Sequence, residues 1–306
     1  MIARRLSALF RSGLSGRKNL TSRSSPAVLF RQAVLFSLAL MCGSVQADNQ
    51  RVISIDGSIT EIVYALGQQD RLVGVDTTSR YPAEAQQLPQ VGYMRQLSVE
   101  GIMSLQPGLI LTSEDAGPAS VFEQLQAAGI TVVRTPKDYS LEGVLNKVDV
   151  VAKALGQPAT GNALKQQIEQ QARKALARIP AQPAPSSLFL LGAGNRGLMA
   201  AGHHTQADAM LQLLKTRNAV EYNGYKPISP EGAIQAAPEV VIVGHTQPGA
   251  ADQVAETLAM TPAQQNQRVH VVDVSLTLGF GPRLPEAIDQ LVDLIWYPQS
   301  LDVAAE

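Results

Sequence analysis

Gly92-Tyr-Met-Arg-Gln-Leu-Ser-Val-Glu-Gly101 runs on to Pro107-Gly-Leu-Ile-Leu111, and the same order returns at Asn223-Gly-Tyr-Lys-Pro-Ile-Ser-Pro-Glu-Gly232 with Pro238-Glu-Val-Val-Ile242. Ser98, Glu100, Gly101 and Pro107 recur as Ser229, Glu231, Gly232 and Pro238, and the cation Arg95 recurs as Lys226. A serine two residues ahead of an acid reads as a helix start, because its hydroxyl can accept from a free N–H of the first turn. The later proline stops the helix, and the apolar run behind it reads as a strand. Each copy therefore predicts loop, N-capped helix, proline, strand. A single Ser-x-Glu opening is common; the full matched register predicts two pseudo-symmetric lobes, with a cleft between them as a favoured place for a ligand.

Outward from these copies, short apolar runs alternate with helical patterns, so the fold class is α/β: central, mostly parallel sheets flanked by helices. Strands are expected at Arg51–Ile55, Leu72–Val75, Leu109–Thr112, Ile130–Arg134, Leu188–Leu191, Val240–Val243 and Val269–Val272. Ser58-Ile-Thr-Glu61 has the form of a capping box opening a helix that closes at Gly67. Residues 141–180 hold no strand: apolar spacing at Leu141, Val144, Leu145, Val148, Val151 and Leu155 is followed by a second helical run from Ala159 to Ile179, after which Pro180-Ala-Gln-Pro-Ala-Pro-Ser-Ser187 breaks the pattern. The expected organisation is an N-terminal α/β lobe at 48–140, a connecting helical segment at 141–180 acting as a stiff strut, and a C-terminal α/β lobe at 181–306.

Charge is unevenly placed. Residues 1–47 hold seven basic side chains and no acid, leaving 18 basic groups against all 26 acids in the remainder. So acidic a body does not suggest nucleic-acid or anionic-membrane binding. The basic head is followed by the apolar run Ala33–Met41 and then Val45-Gln-Ala47. That is the form of a secretory signal peptide with cleavage after Ala47, and roughly 10 apolar residues are too few to span a bilayer. Cleavage there also removes Cys42, the one cysteine, so thiolate and disulfide chemistry are not expected in the exported body.

Candidates for catalysis are few. The four histidines, His203, His204, His245 and His270, fall in no H-E-x-x-H spacing, and there is no G-x-S-x-G elbow. Gly192-Ala-Gly-Asn-Arg-Gly197 fits G-x-G-x-x-G, but Leu198–Gly202 behind it reads as a second strand rather than a helix, which suits a turn between strands. Tyr93 with Arg95 is more informative. One reading is a surface aromatic beside a solvated cation. The other is a tyrosinate ligand to ferric iron: a phenol ionises near pH 10, and both Fe(III) and a neighbouring guanidinium favour the anion.

At these residues the chain resembles the haem-binding periplasmic proteins of bacterial ABC importers, within the cobalamin- and siderophore-binding class. The likeness spans Asp76-Thr-Thr-Ser-Arg-Tyr-Pro82, Gly92–Ser98, Gly224-Tyr-Lys-Pro-Ile-Ser229 and Gly279-Phe-Gly-Pro-Arg283. The resemblance implies two lobes joined by one long helix, with haem b held between them as transported ligand. It makes Tyr93 the axial iron ligand and Arg95 the cation beside it. Lys226 stands where relatives place an arginine, able to meet the phenolate or a propionate as a point charge. Some relatives hold two haems through a histidine near Gly192–Gly194; none stands there, which points to one haem. Glu100 and Glu231 match acids that dock on the permease dimer of an inner-membrane ABC transporter, though each also complements the positive end of its own helix. An outer-membrane haem receptor would be a remoter member of the same system, and the periplasm the location. The rival readings are the same fold binding a corrinoid or ferric siderophore, and an exported α/β enzyme.

Overall fold

The computed structural model describes residues 50–192, 197–245 and 250–297; of the side chains at 245 and 250–253 nothing is said. The expected export leader, Ala47 and Cys42, and residues 193–196 lie outside the described residues. Two sheets organise Gln50–Tyr297. The first is wholly parallel, in the order β2 (Leu72–Val75), β1 (Val52–Ser54), β3 (Leu109–Ser113), β4 (Thr131–Thr135). Its strands form where unbroken apolar runs can be buried on both faces, as the fully buried Ile53 and Ile110 illustrate. The second has the order β10 (Val269–Asp273), β9 (Val240–His245), β5 (Ser186–Gly192), β6 (Leu198–Ala201), β8 (Tyr225–Pro227), with β7 (Arg217–Asn218) beside β5. Strands β5, β9 and β10 are parallel; β6 turns back antiparallel on β5, as expected for a turn rather than a nucleotide loop at Gly192–Gly197.

The internal repeat is structural. Ser98 caps α2 (Val99–Met103) by accepting from Gly101 N at 3.1 Å, and Ser229 caps α7 (Pro230–Ala236) by accepting from Gly232 N at 3.2 Å. Ile102 and Ala233 are both fully buried. Each copy carries a left-handed residue just before its proline: Gln106 with φ 48°, two residues past the C-cap Ser104, ahead of Pro107, and Ala237 with φ 43°, itself the C-cap, ahead of Pro238. Leu109 and Val240 then begin strands in central positions of the two sheets.

Two expectations change. Ser58 does not cap the first helix, α1 (Gly57–Ala65): Asp56 does, accepting from Ser58 N at 2.9 Å. Glu61 is unavailable for a capping box because it pairs with Arg283, and the Ser58 hydroxyl donates to Asp56 at 2.8 Å. The segment 141–180 is two helices, α4 (Leu141–Ala154) and α5 (Pro158–Leu176), at the two helical runs of the sequence, with α5 the longer. Gly156 with φ +72° and Pro158 at the first helical position force the break. Helix α4 packs on α1 and β4, while α5, about 28 Å long, packs on both α4 and α11 (Leu284–Trp296). Gly161 permits the first contact, since a Cβ there would meet Ala152 Cβ at 2.3 Å. Finally, the loop of the second copy is in part a strand: Tyr225–Pro227 pairs with β6, an edge that the first sheet does not offer.

Candidate functional site

The Tyr93 loop is fixed by backbone bonds and two buried anchors. Thr77 N donates to Gly92 O (3.0 Å), Gln96 N to Tyr93 O (2.7 Å) and Gly117 N to Met94 O (2.9 Å). Met94 and Leu97 are buried in the first lobe's core, which turns Tyr93 and Arg95 outward, Tyr93 being 39% exposed. Gly92 makes this possible with φ +102°, a conformation that residues with a Cβ rarely adopt.

Arg95 Nη1 donates to Tyr93 Oη at 2.8 Å. Its Cζ lies 6.0 Å from the ring centroid, so the guanidinium serves the oxygen more than the ring face. Burial disfavours the Arg95 charge, but the Tyr93 oxygen, Asp115 and Tyr139 outweigh it and hold the cation more firmly than usual. A second phenol stands close by under opposite influence. Tyr139 donates a short hydrogen bond to Asp115, which also takes Lys137 Nζ at 2.9 Å. Burial, then the bond to Asp115 and its charge, push the Tyr139 phenol well above its ordinary range. Asp115 feels burial most, yet the Tyr139 hydroxyl and Lys137 leave its carboxyl below the usual range. Tyr93 therefore has a donor cation on its oxygen, while Tyr139 is kept protonated by a carboxylate. Only the first arrangement suits binding a hard Lewis acid.

Tyr225 of the second lobe is partly buried, packed against the core. Burial raises its phenol, while a Thr205 hydroxyl, the Ala207 N–H and the field of Arg95 work the other way. A cavity of about 320 Å³ lies alongside, between Lys137, Asp138 and Tyr139 of one lobe and His204, Thr205 and Asp208 of the other. The expectation of a single haem rested on the absence of histidine from Gly192–Gly194; the fold brings His204 to the cleft wall from a different segment. Larger hollows, about 490 and 460 Å³, lie beside Asp149 with Lys165 and beside Trp296, away from the tyrosines. Lys226 lies with its ammonium 4.8 Å from the Tyr222 ring. Alternation along β8 turns Tyr225 toward the core and leaves Lys226 exposed, so the sequence-predicted trio is only partly gathered: Tyr93 and Arg95 meet, and Lys226 stands by Tyr222.

Glu100 and Glu231 are exposed on the matched helices. Glu231's own backbone N–H and the Ser229 hydroxyl hold its carboxyl below the usual range. Sequence reasoning missed a polar clamp between the lobes. Arg283 binds Glu61 with both Nη2 (2.6 Å) and Nε (3.1 Å), and its Cζ stands 3.8 Å from the Tyr81 ring centroid. Lys147 Nζ joins Ser58 Oγ (2.8 Å) to Phe280 O (3.0 Å). The signal was present, because Tyr81 and Arg283 close the Asp76–Pro82 and Gly279–Arg283 motifs; what no pattern stated was that these motifs touch. Asp115 and Tyr139 belong to no motif and left no signal. Among the described residues, no three or more His, Cys, Asp or Glu converge to hold a metal ion, and no helix is long and apolar enough to cross a membrane.

Two α/β lobes, each built on its own sheet, give the plan of a two-lobed solute-binding protein. The family model for periplasmic binding proteins matches residues 52–275, and the chain belongs to that family. Members of it are components of transport and not enzymes. The chain is similar to the solved periplasmic heme-binding protein BhuT in complex with two hemes: 38% identity, 80% of this chain and 97% of that one covered, TM-score 0.75. It is also similar to an uncharacterized ABC transporter substrate-binding lipoprotein, YvrC, of Bacillus subtilis (27% over 262 residues, 84% of this chain and 83% of that protein). A vitamin B12-binding protein of Pectobacterium atrosepticum is 28% identical over 265 residues, with 82% and 90% covered.

Proposed function

We propose that this chain captures haem in the periplasm and delivers it to an inner-membrane ABC transporter, with haem b as cargo and no chemical turnover. The observation that carries the reading is the Arg95–Tyr93 pair, a guanidinium 2.8 Å from the phenol oxygen of an exposed tyrosine on the loop ahead of α2. In this reading Tyr93 is the axial ligand to Fe(III), and Arg95 stabilises its anion. The likeness to BhuT supports haem over the corrinoid that the vitamin B12-binding relative would suggest. Lys226 meets a propionate, and Glu100 and Glu231 dock on the two halves of the permease dimer. Residues 1–47 act as the export leader, cleaved after Ala47.

The test is an absorption titration of the mature protein with hemin, beside Tyr93→Ala and Tyr139→Phe. The expected result is a Soret band with a tyrosinate charge-transfer band in the parent and in Tyr139→Phe, and loss of both features with most of the affinity in Tyr93→Ala. The titration endpoint gives the number of haems per chain. No Soret band in the parent, or an unchanged spectrum in Tyr93→Ala, rejects the reading.

A further inference from the structure

Two of the large apolar side chains left exposed among the described residues occupy the same place in the internal repeat. Met103 and Ile234 are each 44% exposed, and each follows the buried residue of its helix, Ile102 or Ala233. Each also stands three positions after an exposed acid, Glu100 or Glu231, a spacing that puts acid and apolar group on one helix face. A lone exposed apolar residue needs no explanation. The same exposure at matched positions, with methionine in one lobe and isoleucine in the other, marks a feature retained in both halves although its residue type differs.

We propose that Glu100 with Met103, and Glu231 with Ile234, form two equivalent docking patches, each fitting a cation beside an apolar socket on one subunit of a two-fold symmetric protein partner. The proposal rests on the reading of the two acids as permease-docking groups and extends it: charge steers each patch and burial of the apolar neighbour holds it. A bilayer surface fits the patches poorly, because an acid flanks each apolar group and the chain beyond residue 47 holds 26 acids against 18 basic groups.

The experiment measures binding of the haem-loaded protein to its cognate permease–ATPase assembly in nanodiscs, with empty nanodiscs of the same lipid alongside. Compared are the parent, Met103→Ser with Ile234→Ser, and Glu100→Ala with Glu231→Ala. Removing two half-exposed apolar groups from the contact should weaken docking at least about tenfold, with hemin titration and melting temperature unchanged. Docking within twofold of the parent, while the Glu pair weakens it, overturns the apolar patches alone. If neither pair weakens docking, the acids lose their role and the patches fall with them. Binding of the parent to empty nanodiscs that the serine pair abolishes would assign the patches to lipid and equally overturn the proposal.

Discussion

Replacing Arg283 by Met should destabilise the fold, and the size of the effect follows from its surroundings. The Arg283 side chain is 16% exposed and the Glu61 side chain 8%, so the substitution leaves a carboxylate almost out of water and without its partner. Breaking a buried ion pair from one side costs about 3–5 kcal/mol. For a domain of this size that corresponds to a melting temperature about 6–20 °C lower. The dependence on pH is a stricter test. Burial already raises the Glu61 carboxyl above its ordinary value despite the hydrogen bond and charge of Arg283, with Asp56 and Glu286 adding to the rise. An acid raised in the folded state leaves stability intact below its unfolded pKa and removes it as pH climbs through the folded value. Without Arg283 the folded value climbs further, so the deficit of the variant should be small near pH 4 and full near pH 8. Adding Glu61→Gln should recover much of the loss at pH 8. Scanning calorimetry of parent, single and double variants at both pH values makes the measurement. A deficit below about 2 °C at pH 8, the scale of an exposed pair, or one equal at both pH values, refutes the reasoning.

Other consequences are simpler. Arg95→Leu removes a charge-assisted hydrogen bond worth about 1.5–3 kcal/mol; hemin affinity measured by titration should fall about 10- to 150-fold, with the Tyr93-dependent charge-transfer band shifted rather than lost. Gly92→Ala meets only ordinary van der Waals contact, with Gln96 O at 3.7 Å, so its effect should come from backbone strain at φ +102°. That strain is about 1–3 kcal/mol, visible as a lowered melting temperature together with weaker hemin binding, because the same turn aims Tyr93.

Much of this protein is legible along the chain. Strand and helix order follow from runs and periodicities that local burial enforces, and the two-lobed plan follows from the repeat at Gly92–Leu111 and Asn223–Ile242, whose serine caps and prolines act within a few residues of themselves. Tyr93 with Arg95 is legible for the same reason: a spacing of two in a loop held by Gly92 lets the guanidinium reach the oxygen. Tertiary structure decided what depends on distant segments meeting. Tyr139 is kept protonated by Asp115, which lies far from it in sequence. Arg283 clamps Glu61 across the lobes, and in doing so takes Glu61 out of the capping box its neighbours spell. Tyr225 turns inward and Lys226 outward because pairing with β6 fixes their faces, and a strand register cannot be read from one strand. Local sequence records interactions of short range; a charge's partner across a cleft is set by packing that only the folded chain supplies.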